Sequence, residues 1–216
     1  SYNDYTQDIH QFMTEIVKPR IGNLTCIMFA HSMGGAIGAL YLEQHPGVFD
    51  AAILSSPMFG IKTDGTPKFL ISLMLAKIKL LRQEKLPFPG GKHWDGIPNY
   101  EKSSAMSEAR YTYIFNQRLA DSHYHTNMMS NGWGYASFRT TPKILRDAGK
   151  IDIPVLLLTS GNDALVDSKG HYKFAYNTPN TEFVIYEGAK HELYNGTPEI
   201  LEDYYKRIFG FLGKVG

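Results

Sequence analysis

The sequence holds a single cysteine, Cys26, among 216 residues. One thiol closes no internal disulfide and builds no cysteine-based zinc site, so neither holds the fold together. Charge of one sign is also scarce: 22 Lys+Arg against 21 Asp+Glu leave a formal net charge of +1. That balance gives no global field to attract nucleic acid, and no nucleic-acid partner is expected. No apolar run reaches the ~18 residues that let a helix span a bilayer. Internal repeats and low-complexity tracts are lacking too. What is present, 43% hydrophobic and 20% charged residues, suits a chain that buries a core as one large domain or one domain with an insertion. The chain opens SYNDYTQDIH, with no methionine and no basic-then-apolar signal pattern. It reads as the middle of a domain, so a further N-terminal part is expected upstream.

Hydrophobic spacing supplies the next layer. Residues 8–17 place Ile9, Phe12, Met13, Ile16 and Val17 on one helical face, and Pro19 and Gly22 end that helix. Residues 24–29 (LTCIMF) are apolar except for Thr25, which predicts a strand buried on both faces with Cys26 as a small core residue. Residues 34–45 (GGAIGALYLEQH) read as a helix packed closely on that strand and stopped by Pro46-Gly47. Further strands are predicted at 51–55, 155–159 and 183–186, and helices at 169–175 and 198–212. Strand–helix alternation predicts the α/β class with a parallel sheet.

The interval 57–152 is too long for a loop. It is expected to form a cap over the C-terminal edge of the sheet, with 1–56 and 153–216 as the core. Its helix 69–81 (FLISLMLAKIKLL), with Lys77, Lys79 and Arg82, could face a membrane surface, but burial against the sheet domain is the favoured expectation. The aromatics and methionines of the interval are expected to divide between a cap core and an apolar acyl pocket.

The chemistry is carried by Ala30-His31-Ser32-Met33-Gly34, between a predicted strand and a predicted helix. Small residues at positions 30 and 34 allow a sharp turn that lifts the Ser32 hydroxyl above the sheet edge. The same turn aims the Met33 backbone N–H, at the helix N-terminus, toward a developing oxyanion. A serine hydroxyl needs a base, and the base an acid, on loops that follow later strands. SGNDALVD after the third strand offers Asp163, with Asp167 as rival acid, and EGAKHE after the fourth offers His191 as base. Asp167 also suits the start of the following helix. Glu192 is expected to be solvated. His123 and His125 lack a clear ligand cluster, and no metal or cofactor is expected. His10, His45, His93 and His171 read as surface or structural.

The elbow AHSMGGAI, the stretch SPMFGI, the segment GKHWDG and the blocks LLLTSGNDALVD and YEGAKHE resemble the α/β-hydrolase branch of bacterial lysophospholipases and monoacylglycerol lipases, over nearly the whole chain. The resemblance implies Ser32 as nucleophile, Asp163 as acid, His191 as base and Met33 as oxyanion donor. His31, Met58 and Phe59 are expected to line the substrate pocket. Members also carry earlier strands and a His-Gly loop that donates a second oxyanion N–H; no such segment occurs here, which again points upstream. The implied activity is a serine hydrolase of lipid esters, lysophospholipid first. The alternatives are a monoacylglycerol lipase, a small-ester hydrolase or peptidase with the same triad, and a binding homologue without turnover. A bacterial cytoplasmic location, or one peripheral to the inner membrane through the cap, is expected; oligomeric state is not legible.

Overall fold

A computed structural model of the chain describes residues 1–63, 65–89, 91, 93–125 and 128–216. Among the described residues, strands β1 (Ile27–His31), β2 (Ala51–Ser55), β3 (Val155–Ser160) and β4 (Thr181–Tyr186) form one sheet in the order β1-β2-β3-β4. All three pairings are parallel, with Ile27 opposite Ala51, Ala52 opposite Val155, and Val155 opposite Thr181. The core is therefore a parallel α/β sheet, as the alternation of strands and helices predicts. β2 and β3 are central, and side chains alternate between the two faces. Ala52, Leu54, Val155 and Leu157 enter one core cluster, while Ala51, Ile53, Leu156 and Leu158 enter the other. Burial on both faces is why these strands read as unbroken apolar runs.

β1 differs from expectation. Residues 24–26 do not join the ladder: Leu24 N–H donates to Ile21 O in a turn, and Cys26 N–H donates to the Asp50 carboxylate. Pairing begins at Ile27. β1 is an edge strand, so its apolar residues are not covered on both faces, and Phe29 is 56% exposed. Cys26 precedes the strand and is half-buried.

The helical layers follow from spacing and small residues. Helix α1 (Tyr2–Gln11) continues through a π-helical stretch, Phe12–Val17, into α2 (Lys18–Ile21), which ends at Gly22 with φ +56°. Pro19 is the second residue of α2, directly after the π-helical stretch, so a residue without an N–H falls inside the continuous helix where the regular bonding pattern is already interrupted. The π turn rotates the helical face, so Met13 is buried whereas Phe12 and Ile16 are exposed. Helix α3 (Ser32–Gln44) starts immediately after β1, and a Cβ on Gly38 would lie 2.6 Å from Met28 Sδ. The small residues thus set the close approach of strand and helix. Helix α7 (Lys169–Asn177) and the C-terminal α8 (Pro198–Val215) complete the flanks. α8 is capped by Thr197 and buries Leu201, Tyr204, Ile208 and Phe211 at helical spacing.

Between β2 and β3 lie α4 (Lys68–Leu80), α5 (Glu108–Ala120) and α6 (Asn131–Asp147). α6 packs against α1, α3 and α7 as well as α4. Ile144, Leu145, Ala148 and Ile151 belong to the core under the sheet, so the end of this interval is part of the flanking layer. α4 is not buried as expected. Of its side chains only Ile78 is buried, while Phe69, Leu70, Leu73 and Leu80 are exposed. A helix apolar on every side covers only the stripe that meets its neighbour, here α6. Between them runs an open groove of about 900 Å³ lined by Leu75, Leu80, Tyr135 and Phe138, with Lys77 and Arg139 among its cations. Gly90 and Lys92, in the turn-rich stretch and the GKHWDG segment, lie outside the described residues.

Candidate active site

The position of Ser32 is set by the strand–helix turn. Ser32 has φ +52°, a left-handed conformation costly for a residue with a side chain. Two contacts hold it there. The Met58 N–H donates to the Ser32 carbonyl at 2.8 Å. Gly35 admits Pro57 so closely that a Cβ on Gly35 would lie 2.7 Å from Pro57 Cβ. The strap after β2 therefore braces the turn. His171, fully buried on α7, braces the strap in turn: its Nε2–H donates to Pro57 O at 2.6 Å, while Nδ1 accepts from the Thr159 hydroxyl at 3.1 Å. Gly35→Ala is expected to destabilise the protein by about 1–3 kcal/mol through overpacking and to lower kcat as the turn shifts. Thermal melts and steady-state rates on one preparation check both effects.

The C-terminal ends of β3 and β4 bring the other two groups to the same edge. His191 Nδ1–H donates to Asp163 Oδ2 at 2.6 Å, and His191 Nε2 accepts from Ser32 Oγ–H at 2.8 Å. Both partners are buried, Asp163 at 2% and His191 at 4% exposure. The second carboxylate oxygen, Asp163 Oδ1, accepts the N–H groups of Leu165 and Val166 at 2.8 and 3.0 Å. Burial works to raise the Asp163 pKa, but the hydrogen bonds from His191, Val166 and Leu165 outweigh it, and the carboxyl sits below its usual range. Asp163 is therefore an anion held in one orientation. The rival Asp167 does not face the base. Its Oδ1 accepts the Lys169 N–H at 3.1 Å, in the turn that opens α7.

The two loops also hold each other. Asn162 N–H donates to Ala189 O, and Gly161 N–H to Tyr186 O, each at 2.9 Å. The Ser160 hydroxyl reaches the His191 carbonyl at 3.4 Å and is joined to the Ser56 hydroxyl at 2.7 Å. The Lys62 ammonium donates to the Asp163 backbone carbonyl. Lys62 had no distinguishing signal in the sequence; the antiparallel bridge Ile61–Val166 brings it there.

Met33 is the second residue of α3, where a backbone N–H has no helical carbonyl a turn behind it. Its side chain is fixed from α6: Trp133 Nε1–H donates to Met33 Sδ at 2.9 Å. His31 does not point freely into a pocket. Its Nδ1–H donates to Ser55 O at 2.9 Å, its ring centroid is 4.8 Å from that of His191, and Tyr194 meets it edge-on at 5.1 Å. Met58 and Phe59 are buried, and Phe59 stacks on Phe174 at 4.4 Å. That places the Phe59 ring in the core, where β2, the strap and α7 meet, and corrects its assignment to the pocket lining. Among the described residues no three His, Cys, Asp or Glu side chains group as a metal site requires. His123 pairs with Asp121, and His125 lies against Trp94.

Burial, and then the neighbouring His191, push the His31 pKa down to about 4, and burial lowers that of His171. The folded protein resists protonating either ring, while the unfolded chain takes protons near pH 6.5. The His31 contribution is complete above pH 6.5 and is lost as pH falls from there through about 4, and that of His171 is lost in the same direction. The melting temperature is expected to drop across that window. His31→Asn, which keeps a donor for Ser55 O, should flatten the slope; equal slopes for variant and wild type would contradict the assignment.

Comparisons with known proteins give the family. The family model described as serine aminopeptidase, S33 matches residues 1–198. Lysophospholipase L2 of Escherichia coli is 28% identical over 208 residues, covering 96% of this chain and 58% of that protein. The human monoglyceride lipase is 26% identical, covering 96% of this chain and 64% of that protein. The chain thus spans about three fifths of the length of these relatives. In structure it is similar to a monoacylglycerol lipase from Paleococcus ferrophilus, with a TM-score of 0.73 at 20% identity over 100% of this chain and 76% of that one. A thermostable carboxyl esterase from Bacillus coagulans gives 0.73 at 18% identity, over 99% and 72%.

Proposed function

Because the chain belongs to the serine aminopeptidase S33 family, within the α/β-hydrolase branch of lysophospholipases and monoacylglycerol lipases, we propose that it hydrolyses carboxylic esters of lipids through an acyl-enzyme on Ser32. The observation that carries this reading is the unbroken run Asp163–His191–Ser32, at 2.6 and 2.8 Å. Ser32 Oγ attacks the ester carbonyl as His191 Nε2 takes its proton. Asp163 keeps the imidazole in the Nδ1–H tautomer and stabilises the imidazolium. The Met33 N–H, at the start of α3, faces the developing oxyanion. His191 then returns the proton to the leaving alcohol. Water attacks the acyl-enzyme with His191 again as base, and the fatty acid leaves.

Lysophospholipid is the first substrate in this reading, since lysophospholipase L2 is the name carried by E. coli relatives at 28% identity. Monoacylglycerol is the second, favoured by the human and Paleococcus ferrophilus relatives. We also propose α4 as the face turned toward lipid: exposed Phe69, Leu70, Leu73 and Leu80 lie beside Lys77 and Lys79, a combination suited to an anionic lipid surface. No helix of the described residues is long and apolar enough to cross a membrane.

The test is a rate profile across lysophosphatidylethanolamine, monoacylglycerol, p-nitrophenyl acetate and an aminoacyl anilide. The expected result is the highest kcat/KM on a long-chain lipid ester. Preference for the acetyl ester would move the assignment to a small-ester hydrolase, and preference for the anilide to a peptidase.

A further inference from the structure

On one side the His191 loop is held by the Asp163 loop, through Asn162 N–H on Ala189 O and the Ser160 hydroxyl on His191 O. The ladder of β4 ends at Tyr186, and beyond the turn at Gly188 (φ +74°) regular structure resumes only at residues 193–195. On the side away from the sheet, the loop is laced to the segment that leads into α5. Glu192 N–H donates to Ser104 O, and Lys190 Nζ to Ser103 O, each at 3.2 Å. The Lys190 N–H meets Met106 Sδ at 3.2 Å. The N–H groups of Met106 and Ser107 both donate to the carbonyl oxygen of Asn195, at 2.9 and 3.1 Å. Ala105, in the middle of this segment, is 1% exposed.

Asn195 is the knot in this lacing. It is itself 4% exposed. Its side-chain Nδ2–H donates to Glu192 Oε2 at 2.7 Å, and its backbone N–H donates to Glu192 O at 2.8 Å. One residue thereby closes the turn that directly follows the base and offers its carbonyl to the cap segment. We propose that Asn195 is a positioning residue that ties the cap to the catalytic base, so that seating of residues 103–107 fixes the His191 ring between Asp163 and Ser32. The inference rests on the triad reading given above. Small displacements matter here, because a misplacement of about 1 Å costs up to ~10²-fold in rate.

The experiment uses the full chain and a long-chain p-nitrophenyl ester at pH 8, with hydrogen exchange read on residues 103–107. Asn195→Asp sets a second carboxylate against Glu192. It is expected to lower kcat about tenfold with KM within about twofold, and to speed exchange at 103–107 as the lacing opens. Glu192→Gln combined with Asn195→Asp restores one N–H···O contact with the donor reversed, and should return kcat to within about threefold of wild type and slow the exchange again. If the single aspartate variant does not fold, Asn195→Ala removes the donor without adding charge and is expected to show the same paired loss. The proposal is overturned if a folded Asn195 variant keeps kcat within about twofold of wild type. It is equally overturned if kcat falls while exchange at 103–107 is unchanged, or if the double variant is no better than the single. Ser32→Ala separates the two readings. An active Ser32→Ala enzyme removes the triad reading itself, whereas an inactive one beside an unaffected Asn195 variant removes only this inference.

Discussion

Ser32→Ala is expected to lower kcat by about 10⁴–10⁶-fold on any ester the protein cleaves, and to abolish labelling by a fluorophosphonate. The magnitude follows from what the hydroxyl does. It is the atom that bonds to the acyl carbon, and no other hydroxyl is hydrogen-bonded to His191 Nε2 among the described residues. Alanine tolerates the left-handed φ of +52° about as poorly as serine, so the melting temperature should hardly move. That separates loss of chemistry from loss of fold. What activity remains would come from the Met33 N–H and from binding alone. A variant that keeps a rate within tenfold of wild type, or labelling that persists, would place the nucleophile elsewhere.

Asp163→Asn is expected to cost about 10⁴-fold in kcat with little change in KM. The surroundings dictate which way the new amide turns. The Leu165 and Val166 N–H groups hold the Oδ1 position, so the amide oxygen must stay there and the NH₂ group must face His191 Nδ1. A donor at that place forces the imidazole to accept at Nδ1 and to carry its proton on Nε2. It can then no longer take the proton of Ser32. Asp167→Asn is the companion measurement. That side chain only organises the turn into α7, and its replacement should change kcat by less than about threefold. Equal effects of the two substitutions would mean that the acid has been misplaced.

The parts of the fold that were legible are those where local pattern and tertiary environment agree. β2 and β3 are buried on both faces, so they are apolar along their whole length. The elbow, the Asp163 loop and the His191 loop follow strand ends, and a parallel sheet brings strand ends to one rim. Other features depend on neighbours that the local sequence does not specify. The π turn at Phe12–Val17 shifts the helical phase, and Phe12 leaves the face its spacing assigned to it. Residues 24–29 are apolar, yet apolarity does not say whether a strand is central or at an edge, and Phe29 lies exposed on β1. Helix α4 is apolar enough for burial and is left largely open, with α6 the helix it packs against most among the described residues. At the site, spacing could not separate Asp163 from Asp167; the hydrogen bond from His191 to Asp163 depends on how the loop folds. Phe59 read as pocket lining and packs in the core on Phe174. The Trp133–Met33 and Asn195–Met106 contacts join residues about a hundred positions apart in the chain, and no periodicity announces such pairs.

The excursion through α4, α5 and α6 leaves from the end of β2 and returns to the start of β3, and these two strands are hydrogen-bonded to one another. The two ends of the excursion are fixed, the first by the Met58 N–H on the Ser32 carbonyl and the last by Ile144, Leu145 and Ile151 in the core, but the stretch between them that carries α4 and α5 can vary in length at small cost, since the entropy of closing a loop grows only with the logarithm of its length. Descendants of such a chain can exchange that middle stretch while the strap after β2, α6 and the sheet stay in place. Under the proposal made for Asn195, any replacement must still present a pair of amides to the carbonyl oxygen of residue 195.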